Sequence, residues 1–103
     1  MKAMLILVAA MSMLLACATA SADGRRLYAA CAACHGTNGA SIGEALPVLA
    51  GQPRSTLIAS MRAFKDGSRP ATIMQQIARG FSDDEIGQIA EFLERQKPPQ
   101  AAK

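Results

Sequence analysis

The stretch Cys31-Ala32-Ala33-Cys34-His35-Gly36 decides the reading of this chain. Two thiols three residues apart are followed at once by an imidazole, so three soft donors sit within five residues. A structural zinc site takes four such ligands. Outside the apolar N-terminal stretch, which holds Cys17, the chain has these two cysteines and a single histidine. A redox-active Cys-x-x-Cys belongs beside a βαβ pattern, and no strand-like alternation stands out here. Both readings fail on the residues available.

Cys-x-x-Cys-His is the attachment signature of c-type haem. Thiols at this spacing reach the two vinyl groups along one porphyrin edge, and the adjacent imidazole is delivered to the iron. The residues therefore predict one haem c bound covalently through Cys31 and Cys34, with His35 as proximal ligand. A sixth ligand must come from elsewhere, and methionine fills that place in electron-carrying cytochromes c. The candidates are Met61 and Met74. Met61 falls on an apolar helix face with Leu57 and Phe64, where a core role is the ordinary one. Met74 follows the turn Gly67-Ser68-Arg69-Pro70, in a segment able to cross to the side opposite His35, and is preferred.

The flanking sequence reads as helices alone. Asp23 is placed to cap a first helix running through Arg25, Leu27, Tyr28 and Cys31. Gly36-Thr37-Asn38-Gly39 breaks it, and Ile42 to Gly51 is loop. Pro53, at a first helical position, opens a helix carrying Leu57, Met61 and Phe64 on one face, which Asp66-Gly67 ends. Ile73 to Ala78 forms a short helical turn stopped by Gly80. Ser82-Asp83-Asp84-Glu85 is a capping box for a last helix whose Ile86, Ile89, Ala90 and Leu93 face inward. Pro98-Pro99 closes it.

The N-terminus is a leader. Lys2 precedes an apolar run, and Ala18-Thr19-Ala20 supplies the small-x-small pattern for cleavage before Ser21. Leu14-Leu15-Ala16-Cys17 also fits a lipoprotein box, and an uncleaved segment would be a short anchor. All three fates put the domain outside the cytoplasmic membrane, in the periplasm. A membrane contact enters only through a lipidated Cys17 or a retained leader. The expected organisation is signal peptide 1–20, one monohaem domain 21–97 and a flexible tail 98–103.

The chain has 103 residues, is 50% hydrophobic, and has one Tyr, three Phe and no Trp. So short a domain buries too little apolar surface to be comfortable alone, and a haem at its centre meets that need. Lys2 is the one cation before residue 21, which leaves ten Lys and Arg against eight Asp and Glu. A balance that weak and dispersed excludes a nucleic-acid binder. No pair of carboxylates, and no nucleophile with a base, stands in a catalytic arrangement.

Gly24-x-x-x-Tyr28-x-x-Cys31-x-x-Cys34-His35-Gly36, Pro47-Val48-Leu49-Ala50-Gly51-Gln52, Phe64-Lys65-Asp66-Gly67-x-Arg69, Met74 and Phe81-Ser82-Asp83-Asp84-Glu85-Ile86 together resemble a small bacterial class I cytochrome c. Within that family, Thr72-Ile73-Met74-x-x-Ile77-Ala78-Arg79-Gly80-Phe81 is most similar to the cytochrome subunit of flavocytochrome c sulfide dehydrogenase. The resemblance implies an all-α class I fold of three to four helices around the haem, with Met74 as distal ligand. It implies that the Pro47 carbonyl accepts a hydrogen bond from the second ring nitrogen of His35, orienting it. It implies that Gly24 and Tyr28 pack against Phe92. Gln75 stands where many relatives have proline beside the ligand methionine. Arg54, Arg69 and Arg79 have the chemistry of haem-propionate partners, though solvated surface charge is the plainer role for each.

The expected function is electron transfer by a six-coordinate His/Met haem, with redox proteins as partners. The likeness implies a subunit that accepts electrons from a sulfide-oxidising flavoprotein. A free periplasmic carrier serving a terminal oxidase or reductase is the alternative. A haem enzyme or gas sensor would need an open sixth position, and with one histidine no distal base is left for it.

Overall fold

The computed structural model describes residues 1–7 and 23–100. The proposed cleavage before Ser21, the Cys17 lipoprotein box and the tail end 101–103 lie outside the described residues. Residues 2–7 are helical, and no described helix is long and apolar enough to cross a membrane.

Five helices carry the domain, and no strand occurs among the described residues. Residues 23–28 (α1) are helical and lead through a turn to α2, Ala32–His35. A 3-10 turn, Thr37–Gly39, and a loop follow. Then come α3 (Arg54–Asp66), α4 (Met74–Arg79) and α5 (Asp83–Glu94). α3 packs on both α5 and α4.

Two helix starts differ from the sequence reading. Asp23 lies within helical backbone, so it does not cap α1, and α1 stops short of Cys31. The cause of the early stop is local. The N–H groups of Ala29 and Cys31 donate three residues back, to Arg26 and Tyr28, which tightens the chain out of α geometry. Cys31 then becomes the N-cap of α2. Pro53 likewise caps α3 instead of opening it. Its ψ of 139° is extended, while its carbonyl accepts the first helical hydrogen bond, from Leu57 N–H at 3.1 Å.

The capping box forms as read. Glu85 N–H donates to Ser82 Oγ at 3.1 Å, and Ser82 N–H donates to Glu85 Oε1 at 3.0 Å. Asp83, Asp84 and Glu85 add negative charge at the positive end of α5. Its residues Ile86, Ile89, Ala90 and Leu93, spaced i, i+3, i+4 and i+7, are all buried. Burying each Ile or Leu is worth about 1.5–3 kcal/mol, so packing more than propensity holds this helix.

The core joins Tyr28, Leu57, Ile89, Ala90 and Leu93, and Cys31 and Ala32 pack against it. The motif therefore grows directly out of the core. α1 and α5 cross closely at Gly24, where a Cβ would stand 2.5 Å from the Gln88 carbonyl oxygen and 3.1 Å from Phe92 Cβ. The Tyr28 and Phe92 rings lie beside this crossing with centroids 5.6 Å apart.

Candidate functional site

α2 is a single turn, and its sequence sets out three donors in order. Cys31 at the N-cap is half-buried, Cys34 is exposed, and both are free thiols. Burial pushes the Cys31 thiol up, and the neighbouring Cys34 adds to the rise. A dithiol oxidoreductase needs the opposite, a lowered thiol. Among the described residues no three His, Cys, Asp or Glu side chains gather as a metal cluster.

His35 ends α2 and is 7% exposed. Its Nδ1–H donates to the Pro47 carbonyl at 3.4 Å, a long hydrogen bond, in the tautomer that leaves the Nε2 lone pair free. Nε2 has no hydrogen-bond partner among the described residues.

The segment bearing Pro47 is fixed from several sides. Ser41 is buried, and its hydroxyl donates to the Leu46 carbonyl at 3.0 Å. Leu49 and Ala50 N–H both donate to the Gly39 carbonyl, and Gly51 N–H donates to the Leu93 carbonyl at 2.9 Å. Gly36 turns the chain after His35 with φ 81°, and a Cβ there would meet the Ala40 carbonyl oxygen at 2.8 Å. Only glycine fits that corner.

An open cleft of about 440 Å3 runs beside Cys34, lined by Gly36, Ser41, Ile42, Ala45 and Leu46 among others. Ile42 is 99% exposed, and Ile73, next to Met74 in the chain, is 60% exposed. Bare apolar side chains, two free thiols and an imidazole nitrogen with its lone pair free form the donor set and surface a covalently held porphyrin requires. The residues fit haem c.

Met74 is the first residue of α4 and is half-buried, as is Met61 in the middle of α3. Burial does not separate the two methionines, which differ in setting: Met74 follows a loop and Met61 lies within a 13-residue helix. Arg54, Arg69 and Arg79 are exposed. Arg69 is engaged locally, with its guanidinium carbon 4.7 Å above the Phe64 ring and Nη1 donating to Ser60 Oγ.

Three contacts escaped the sequence reading: Tyr28 hydroxyl to Gly36 carbonyl, Ser41 to Leu46, and Lys65 Nζ to the Phe81 carbonyl at 2.6 Å. Each ends on a backbone carbonyl, so no residue type at the acceptor could have signalled it.

Known proteins agree with this geometry. The cytochrome c family profile matches residues 21–97. Cytochrome c-554(548) of Halomonas halodenitrificans is 36% identical over 80 residues, covering 75% of this chain and 96% of that protein. A thiosulfate dehydrogenase electron acceptor of Stutzerimonas stutzeri is 43% identical over 66 residues, 61% of this chain and 31% of that protein. The cytochrome subunit of sulfide dehydrogenase of Chlorobaculum tepidum is 38% identical over 70 residues, 68% of this chain and 63% of that protein. The chain thus spans nearly all of the first relative, about a third of the second and under two thirds of the third. The family attaches haem c covalently through Cys-x-x-Cys-His, which stands here at Cys31 to His35. On the motif, the strandless helical fold and the family match together, the chain belongs to the cytochrome c family and is an electron-transfer protein of class I fold.

Proposed function

We propose that Cys31 and Cys34 form the thioethers to haem c, that His35 Nε2 is the proximal ligand and that Met74 is the distal one. The bound haem supplies reversible one-electron exchange. The protein's own residues hold it and tune it. The observation carrying this reading is the His35 ring, buried and tethered through Nδ1 to the Pro47 carbonyl while Nε2 stays free. That tether fixes the ring orientation. With His35 and Met74 both holding the haem, no position would be left for a substrate, and electron exchange is the chemistry it would supply. Met74→Ala in the holoprotein is expected to abolish the methionine-to-iron charge-transfer band and to admit exogenous imidazole. Retention of the band would move the assignment to Met61.

The donor follows from likeness. The run Thr72 to Phe81 resembles sulfide dehydrogenase cytochromes, and 38% identity to the Chlorobaculum subunit supports the same role. On this reading the chain is exported to the periplasm and takes electrons from a sulfide-oxidising flavoprotein. A second reading, a free periplasmic carrier, is supported by the match to almost the whole of the Halomonas cytochrome. Mild, low-salt purification from the native host separates them. Stoichiometric flavin on a second polypeptide supports the subunit, whereas a small haem protein alone supports the carrier.

A further inference from the structure

The segment between α3 and α5 carries α4, which packs on α3 through the fully buried Ala78, and hydrogen bonds tie the segment at its two ends but not at residues 70–72 before Met74. At the front, Ser68 N–H donates to Asp66 Oδ1 at 2.8 Å, and Arg69 N–H returns to the Ala63 carbonyl at 3.1 Å. The Arg69 guanidinium then lies over Phe64. At the back, Lys65 Nζ donates to the Phe81 carbonyl at 2.6 Å, spanning sixteen residues. Residues 70–72 make no hydrogen bond to any other described residue, and Pro70, Thr72 and Ile73 are exposed. Lys65 sits in the last turn of α3, where a cation is favoured by the helix dipole, and Phe81 is the residue between the α4 C-cap and the α5 N-cap. One charge-assisted hydrogen bond therefore closes the base of the segment that holds α4.

We propose that Lys65 is a positioning residue for the distal side: its hydrogen bond to the Phe81 carbonyl holds α4 against α3 and keeps Met74 from swinging away. The proposal rests on Met74 as distal ligand. Opening this segment needs the Lys65 contact to break while the α3–α5 core stays packed. Its strength thus sets how often the sixth position is exposed without unfolding the protein. Lys65→Met keeps the aliphatic stem over α3 and removes the donor, whereas Lys65→Arg keeps a donor.

The test is cyanide association with the ferric holoprotein, read beside the methionine-to-iron band and the guanidinium unfolding midpoint. Lys65→Met is expected to bind cyanide about tenfold faster, the low end of what losing a hydrogen bond to a charged group does. Its band should weaken, and the unfolding midpoint should fall too little to account for the rate. Lys65→Arg is expected within about twofold of the parent, as its donor is kept. A Lys65→Met rate equal to the parent's, or equal effects of both substitutions, overturns the clamp alone. A parent protein without the band overturns the ligand assignment, and the clamp with it.

Discussion

The Tyr28 hydroxyl donates to the Gly36 carbonyl at 2.5 Å, so a side chain of α1 holds the residue directly after His35. The ring is buried against Phe92, and its polar end reaches the corner that the φ 81° of Gly36 creates. Tyr28→Phe keeps the packing and leaves that carbonyl with only the longer bond from Gly39 N–H, at 3.3 Å. A loss of about 1–2 kcal/mol is expected in guanidinium unfolding of the holoprotein. An unchanged midpoint would mean that water replaces the hydroxyl at no cost.

The same phenol gives a signed dependence on pH. Burial raises the Tyr28 pKa above its ordinary 10.0. A group raised on folding contributes stability fully below the unfolded value and loses it as pH climbs through the folded one. Stability from Tyr28 should thus hold flat through neutral pH and fall only on the alkaline side of 10. Ultraviolet phenolate titration of parent and Tyr28→Phe, run with unfolding curves, checks this. A fall already complete below that range would contradict the raised value.

Gly24→Ala should be costly where Gly43→Ala is mild. The first adds a Cβ 2.5 Å from the Gln88 carbonyl oxygen, a backbone atom that can move only if α1 and α5 separate. Overpacking of this kind costs about 1–3 kcal/mol, which in so small a domain is a drop of roughly 4–24 °C in Tm. At Gly43 nothing lies within 4 Å, and only its φ of 93° resists a side chain, at about 1–2 kcal/mol. Calorimetry that ranks Gly43→Ala as the worse of the two would refute the close crossing.

Removing the capping box through Ser82→Ala should cost about 1 kcal/mol. The Ser82 hydroxyl meets the Glu85 N–H, and α5 carries the largest share of the buried core. Thermal unfolding followed by far-ultraviolet circular dichroism reads the effect. A stability equal to the parent's would assign the helix start to its three acidic residues instead.

Met61→Leu should leave the methionine-to-iron band intact. Leucine conserves the volume of a half-buried α3 position, and such exchanges cost less than about 1.5 kcal/mol. Loss of the band in this variant, with its retention in Met74→Ala, would exchange the roles of the two methionines.

How much of this was legible in the sequence depends on the range of the interaction. The attachment motif is five contiguous residues, and the capping box and apolar face of α5 repeat at helical spacing, so all of them could be read. The end of α1 could not, because the three-residue hydrogen bonds at Ala29 and Cys31 compete with a helix that the side-chain pattern equally allows. The shift of Pro53 from first residue to cap is one ψ angle, which proline's ring does not fix. Nothing in the residue types of Lys65 and Ser41 names a partner, and only the folded chain shows the carbonyls they reach.

The hydrogen bond from Gly51 to the Leu93 carbonyl fastens the loop carrying Pro47 to nearly the last helical residue. A polypeptide is synthesised from its N-terminus, so Cys31 to His35 emerge long before Leu93 exists. Any machinery that stitches the thiols to a porphyrin can meet them while the imidazole is still unbraced. Ser41 and the Gly39 carbonyl can brace the Pro47 loop from nearby residues, and the docking of the closing helix adds its one distant anchor, so the last fastening of the ligand loop waits for the end of the chain.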